Sequence, residues 1–269
     1  MPILGGVKRR IFRIGAAAGA ALAAAGCIFF STSRYRGDHA SAAPAVDTGP
    51  PAWQPYQRSL AGADHWVLAG ERASQALPAH RPTVLFVGDS LTEWWLRYGI
   101  ASWESDFAPL GAYDDGVAGD TTSNVLYRLE SGSLTGIDPK LVVVEVGTNN
   151  IGLLGQQAAE VVSGVEAVVD TLTARLPGAR ILLEDIYPRG NAHTPKRLEV
   201  DSINALLSRV GFPAAVTLTD PGRALLGDDQ AFKPGVMHND LLHPTPAGYR
   251  LLAAQLDPVI RHLLGHART

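Results

Sequence analysis

Cysteine is nearly absent from this 269-residue chain: Cys27 stands alone, so no intrachain disulfide can form. Charge is sparse too, at 18% of residues, and the net charge of −3 offers no basic surface for nucleic acid. No internal repeat is visible. A long uncharged apolar run occurs once, over residues 14–30. The rest is of globular composition, 46% apolar, and about 210 residues suit one α/β domain with a sizeable core.

Positive charge gathers only at Lys8-Arg9-Arg10-Ile11-Phe12-Arg13, just before that run. A basic stretch followed by an apolar one reads as an export signal or a signal anchor over residues 1–30. Its 17 uncharged residues lie at the lower edge of what spans a bilayer. Arg9-Arg10-Ile11-Phe12 resembles a twin-arginine signal, and Ala24-Ala25-Gly26-Cys27 a lipoprotein box with Cys27 lipidated. An uncleaved anchor, a lipoprotein at Cys27 and cleavage near Ala40-Ser41-Ala42 stay open as alternatives. Each places the rest of the chain outside the cytoplasm, periplasmic or extracellular, and the first two tether it to a membrane. Residues 31–59 carry Ser, Ala, Pro and Gly without hydrophobic periodicity and read as a flexible linker.

From residue 60 to 269 the pattern is that of one domain. Apolar runs at 83–87, 141–146, 180–185 and 215–218 read as buried strands, with weaker strand signal over 111–116. Between them, residues 158–176, 197–210 and 246–264 have helical spacing. The alternation predicts a doubly wound α/β sandwich with a parallel sheet, whose sites form beyond the carboxyl ends of the strands.

Four segments at such places carry candidate chemistry. Gly88-Asp89-Ser90-Leu91 puts a hydroxyl at a strand-to-helix turn, near helix-terminal amides that favour developing negative charge. Gly116-Val117-Ala118-Gly119-Asp120 offers a glycine amide that a ligand can approach closely. Gly147-Thr148-Asn149-Asn150 follows a strand, and an Asn amide there can donate to an oxyanion, a contact worth ~3–4 kcal/mol in a transition state. Asp240-Leu241-Leu242-His243 puts a carboxylate within one turn of an imidazole, which it can orient as a base. Each segment alone also reads as a helix cap, a turn or a surface loop. His238, Asp240 and His243 read as a rival metal set, and His238 as a rival base. Trp94, Trp95 and Trp103 either line a pocket beside Ser90 or pack the first helix on the sheet.

Taken together, Gly-Asp-Ser, Gly, Gly-x-Asn and Asp-x-x-His in this order resemble the SGNH, or GDSL, hydrolase superfamily over residues 83–264. Gly119-Asp120-Thr121-Thr122, Arg128-Leu129, Gly147-Thr148-Asn149-Asn150, Pro188-Arg189-Gly190 and Asn204 are similar to the platelet-activating-factor acetylhydrolase group within it. Asp114 departs from the pattern, which often has Asn there. The resemblance implies a three-layer α/β/α sandwich with a flavodoxin-like sheet, and neither metal nor organic cofactor. It implies Ser90 as nucleophile, His243 as base and Asp240 as its orienter. The oxyanion hole would comprise the Ser90 and Gly119 N–H groups and the Asn149 side chain. The activity it implies is hydrolysis of carboxylic esters with short, chiefly acetyl, acyl groups. Small esters, acetylated polysaccharides and lysophospholipids are the substrate classes left open. Acyl transfer to a sugar hydroxyl uses the same residues, and a catalytically silent carbohydrate-binding protein is the reading from another class. Nothing in the sequence sets the oligomeric state.

Overall fold

A computed structural model describes residues 49–57, 77 and 79–265. The leader or anchor read over residues 1–30, Cys27 and the linker as far as residue 48 lie outside the described residues. Among the described residues no helix is long and apolar enough to cross a membrane.

Five strands build one sheet: β1 (Val84–Gly88), β2 (Ala112–Gly116), β3 (Leu141–Glu145), β4 (Arg180–Glu184) and β5 (Val216–Thr219). Their spatial order is β2-β1-β3-β4-β5, with every neighbouring pair parallel. The order runs one way from β1 to β2 and the other way through β3, so the chain reverses direction at β1. Such a reversal opens a crevice beyond the strand ends.

Central strands β1 and β3 are apolar up to their last residues because both their faces are covered. Leu85 and Val87 of β1, with Val142 and Val144 of β3, enter one core. Val84 and Phe86, with Leu141 and Val143, enter the other. The first core is closed by α2 (Thr122–Arg128), α4 (Ala158–Arg175) and α5 (Pro195–Leu207). The second is closed by α1 (Ser90–Glu93), by Trp95, Trp103 and Phe107 beyond it, and by α6 (Pro246–Leu263). This is the expected three-layer α/β/α sandwich. A short α3 (Thr148–Leu154) follows β3.

Residues 49–57 differ from the sequence expectation of a free linker. They lie along α2 and α4, with Ala52 fully buried. Pro50 and Pro51 have no N–H to satisfy, so they offer carbonyls only. Domain side chains meet those carbonyls: Gln156 Nε2 donates to Pro50 O at 2.9 Å and Ser123 Oγ to Pro51 O at 3.0 Å. The folded unit therefore begins earlier than residue 60.

Candidate active site

Gly88 ends β1 between β2 and β3, where a Cβ would collide with Thr92 Oγ1 and the Glu145 carbonyl. Only glycine allows the turn into α1 to pass this close. Asp89 caps that helix, its Oδ1 accepting from Leu91 N at 2.9 Å. Ser90 thus occupies the first helical position, whose amide lies outside the helix's own ladder.

His243 reaches Ser90 from a loop placed after all five strands. Its Nε2 lies 2.9 Å from Ser90 Oγ, and its Nδ1 lies 2.7 Å from Asp240 Oδ2. Asp240 Oδ1 accepts from the Leu242 and His243 amides, each at 3.0 Å. Burial pushes the Asp240 carboxyl up, but the hydrogen bonds from His243 and Leu242 outweigh it and hold the group below the usual range. The tight loop sets Leu241 at φ 51°, a left-handed conformation, and Gly190 N donates to Leu241 O at 2.7 Å. Behind the loop, Tyr249 of α6 donates its hydroxyl to Leu91 O at 2.9 Å. That bond fixes α6, and so His243, against the helix that carries Ser90.

The loop after β2 turns at Gly119 with φ 84°, a conformation that favours glycine. Two anchors hold it. Ala118 N donates to Glu93 Oε2 at 2.5 Å. Arg128 donates to Asp115 Oδ2 at 2.6 Å and to Asp120 Oδ2 at 2.9 Å, all three side chains being buried. Asn149, near the start of α3, joins this loop to the turn that carries Ser90. Its Nδ2 donates to Asp120 O at 2.9 Å and to Asp89 Oδ2 at 3.2 Å. Asn149 is thus brought to the site, with its amide directed at protein acceptors on either side of the crevice. Asp114, where the family often has Asn, accepts from Gly116 N through Oδ1 at 2.8 Å. An Asn oxygen accepts in the same way, and burial pushes the Asp114 carboxyl well up, towards its neutral form.

Carboxyls crowd beneath Ser90. Burial raises Asp89, and the nearby Asp120 raises it further against the Leu91 N–H. Glu145, at the end of β3, is raised by burial and then by Asp89 and Glu184. Glu184, at the end of β4, is pushed up to about 8 by burial, although Tyr187 donates its hydroxyl to Glu184 Oε2. Folded Glu184 therefore keeps its proton over a range in which the unfolded chain, at the ordinary glutamate value of about 4.5, has lost it. Unfolding in that window releases a proton, so stability falls as pH rises from about 4.5 to about 8. Glu184→Gln, neutral throughout, is expected to flatten the fall of Tm between pH 5 and 8. Equal slopes in the wild type and the variant would contradict this.

Trp94 and Trp95 separate the two roles left open by the sequence. Trp95 and Trp103 are buried in the core around Phe107. Trp94 instead stacks on the His243 imidazole, with centroids 3.9 Å and planes 28° apart. His238 turns its ring to Tyr98, at 4.6 Å, and its backbone N–H donates to His243 O. It does not compete for Ser90. Among the described residues no three His, Cys, Asp or Glu side chains converge as a metal would require. The Trp94–His243 stack and the Glu93–Ala118 bond were not legible in advance. The partners lie far apart in sequence, and neither the Gly-Asp-Ser-Leu tetrad nor the Asp-x-x-His run includes Trp94 or Glu93.

A three-layer sandwich with a hydroxyl, an imidazole and a carboxylate in one chain beyond its strand ends has the build of a carboxylic ester hydrolase. Residues 86–251 match the GDSL-like Lipase/Acylhydrolase family. The chain belongs to that family, and it is a carboxylic ester hydrolase. It is 37% identical over 220 residues to human platelet-activating factor acetylhydrolase IB subunit alpha2, covering 81% of this chain and 93% of that one. Its fold matches a putative acylhydrolase from Bacteroides fragilis with a TM-score of 0.60 at 22% identity, over 72% of this chain and 96% of the other. An acetylxylan esterase from Geobacillus stearothermophilus matches with a TM-score of 0.54 at 18% identity, over 68% and 94% of the two chains.

Proposed function

We propose that the chain is an exported, membrane-tethered serine esterase that removes short acyl groups, chiefly acetyl, through an acyl-enzyme on Ser90. The observation that carries this reading is the continuous chain from Ser90 Oγ through His243 to Asp240, at 2.9 and 2.7 Å. Asp240 accepts the Nδ1 proton and so leaves Nε2 as the base. Ser90 Oγ gives its proton to Nε2 as it attacks the ester carbonyl. The Ser90 and Gly119 N–H groups and the Asn149 amide receive the resulting oxyanion. For Asn149 this means turning a hydrogen from Asp89, its longer contact, to the substrate oxygen. The imidazolium then protonates the leaving alcohol. Water, losing a proton to the same nitrogen, attacks the acyl-enzyme and frees the acid.

Acetyl as the acyl group is supported by the relatives, one named for platelet-activating factor acetylhydrolase and one for acetylxylan. Acetylated polysaccharide is the substrate class that fits export best, with lysophospholipid and other lipid esters next. Export itself rests on the basic and apolar stretches over residues 8–30. Cell fractionation of the full chain beside Cys27→Ala tests it, and cytosolic protein in both would refute it.

Two measurements test the chemistry. Initial rates on p-nitrophenyl acetate, butyrate and octanoate should fall with chain length, whereas a preference for octanoate would overturn the short-acyl reading. Asn149→Ala is expected to lower kcat about 10²- to 10³-fold. A loss of less than about tenfold would remove Asn149 from the oxyanion hole.

A further inference from the structure

We infer that residues 49–57 are a strap that positions the oxyanion side of the site. The inference rests on the oxyanion role proposed for Gly119 and Asn149. The strap's bonds go to the polar residues next to those donors. Thr122 is fully buried, and its hydroxyl donates to Ala52 O at 2.7 Å while accepting from Asn150 Nδ2 at 2.8 Å. Asn150 Oδ1 accepts from Thr122 N at 3.0 Å, closing a pair between the loop after β2 and the start of α3. Asn150 Nδ2 also donates to Gln156 Oε1 at 2.8 Å, and Gln156 returns to the strap at Pro50 O. A closed ring of hydrogen bonds therefore runs Ala52, Thr122, Asn150, Gln156, Pro50.

Further along, Tyr56 N donates to Ser123 O at 2.9 Å, and Asn124 Nδ2 to Tyr56 O at 2.8 Å. The strap thus holds Thr122, Ser123 and Asn124 from outside, while Asn149 holds Asp120 from inside through its carbonyl. Asn149 adjoins Asn150, and Gly119 lies three residues before Thr122, so both donors sit next to anchored positions. Pro50 and Pro51 are half-buried beside the fully buried Ala52, whereas residues 53–57 are exposed, Trp53 at 47% and Tyr56 at 37%. The strap's hydrogen bonds go to Thr122, Ser123 and Asn124, just after the loop that holds Gly119, and to Gln156. Small displacements of aligned groups have large effects on turnover.

The test uses the full chain with Ala52→Asp, which puts a charge at the strap's one fully buried residue and leaves every other residue of the sequence as it is. Gln54→Asp, exposed two residues on, is the control of equal charge. Amide hydrogen exchange over residues 119–124 should quicken in Ala52→Asp. Its kcat on p-nitrophenyl acetate, per active site titrated with a fluorophosphonate, should fall about tenfold or more, with KM within about threefold. Gln54→Asp should match the wild type in both. Should Ala52→Asp not fold, Thr122→Val is expected to lower kcat in the same way and Thr122→Ser to restore it. Turnover within about twofold of wild type in Ala52→Asp and Thr122→Val, whether or not exchange quickens, overturns the strap. With Asn149→Ala run alongside, a large loss there and none in the strap variants would sink the strap alone. No loss in any of them would sink the oxyanion reading and the strap with it.

Discussion

Ser90→Ala is expected to lower kcat on p-nitrophenyl acetate by at least about 10⁴-fold and to leave the fold unchanged. In the proposed mechanism the hydroxyl is the atom to which the acyl group is transferred, and its hydrogen bond is to His243 Nε2. Removing it leaves an imidazole still held by Asp240 Oδ2 at 2.7 Å and still covered by Trp94. What remains is attack by water on an ester bound beside an intact base and oxyanion loop, a much slower reaction that needs no acyl-enzyme. The effect on stability is expected to be small, because Ser90 is 6% exposed and Ala fills nearly the same volume. Circular dichroism should therefore be unchanged. A folded variant retaining more than about a tenth of wild-type turnover would move the nucleophile elsewhere.

Arg128→Met should be the most destabilising single change near the site. The guanidinium is 3% exposed and bridges Asp115 and Asp120, both fully buried. Breaking such a pair strands the remaining charges, which typically costs about 3–5 kcal/mol. For a domain of this size that corresponds to a fall in Tm of roughly 10 °C at neutral pH. Burial already pushes the Asp115 carboxyl up, and without Arg128 beside it the group rises further. Folded Asp115 in the variant then holds a proton where the unfolded chain does not, so the deficit should shrink as pH falls towards 4. Arg128→Lys is not expected to rescue, because one ammonium cannot reproduce the two-armed geometry. A Tm within about 2 °C of wild type at pH 7 would refute the account.

Parts of this molecule were legible in the sequence for identifiable reasons. Strands β1, β3 and β4 are covered on both faces, so they appear as apolar runs interrupted only at their ends, by Glu145, Arg180 and Glu184. β2 is an edge strand containing Asp114 and Asp115, one bonded to its own turn and the other to Arg128, and it gave only weak signal. Helices α2 and α3 begin in the polar runs at Thr122 and Thr148 and were read as turns. Ser90 and Asp240 both lie within hydrogen-bonding distance of His243, and the two sequence-distant segments involved each carry a motif. Asn149 reaches the site too, but its amide engages Asp89 and Asp120, a geometry that depends on the folded loop. The docking of residues 49–57 was invisible because it uses backbone groups of Pro50, Pro51, Ala52 and Tyr56 and one buried alanine side chain. Side-chain type carries almost no trace of such bonding.

The bond between Ser90 and His243 joins residues 153 positions apart, with four of the five strands, β2 to β5, made between them. During synthesis Ser90, the nucleophile proposed above, emerges long before His243, its proposed base. A nascent chain complete through β5 carries Ser90 without His243. The proposed pair is complete only once residues 236–245 are made, with Tyr249 of α6 bonded to Leu91 behind them. On the proposed mechanism, hydrolysis is therefore among the last properties the chain acquires.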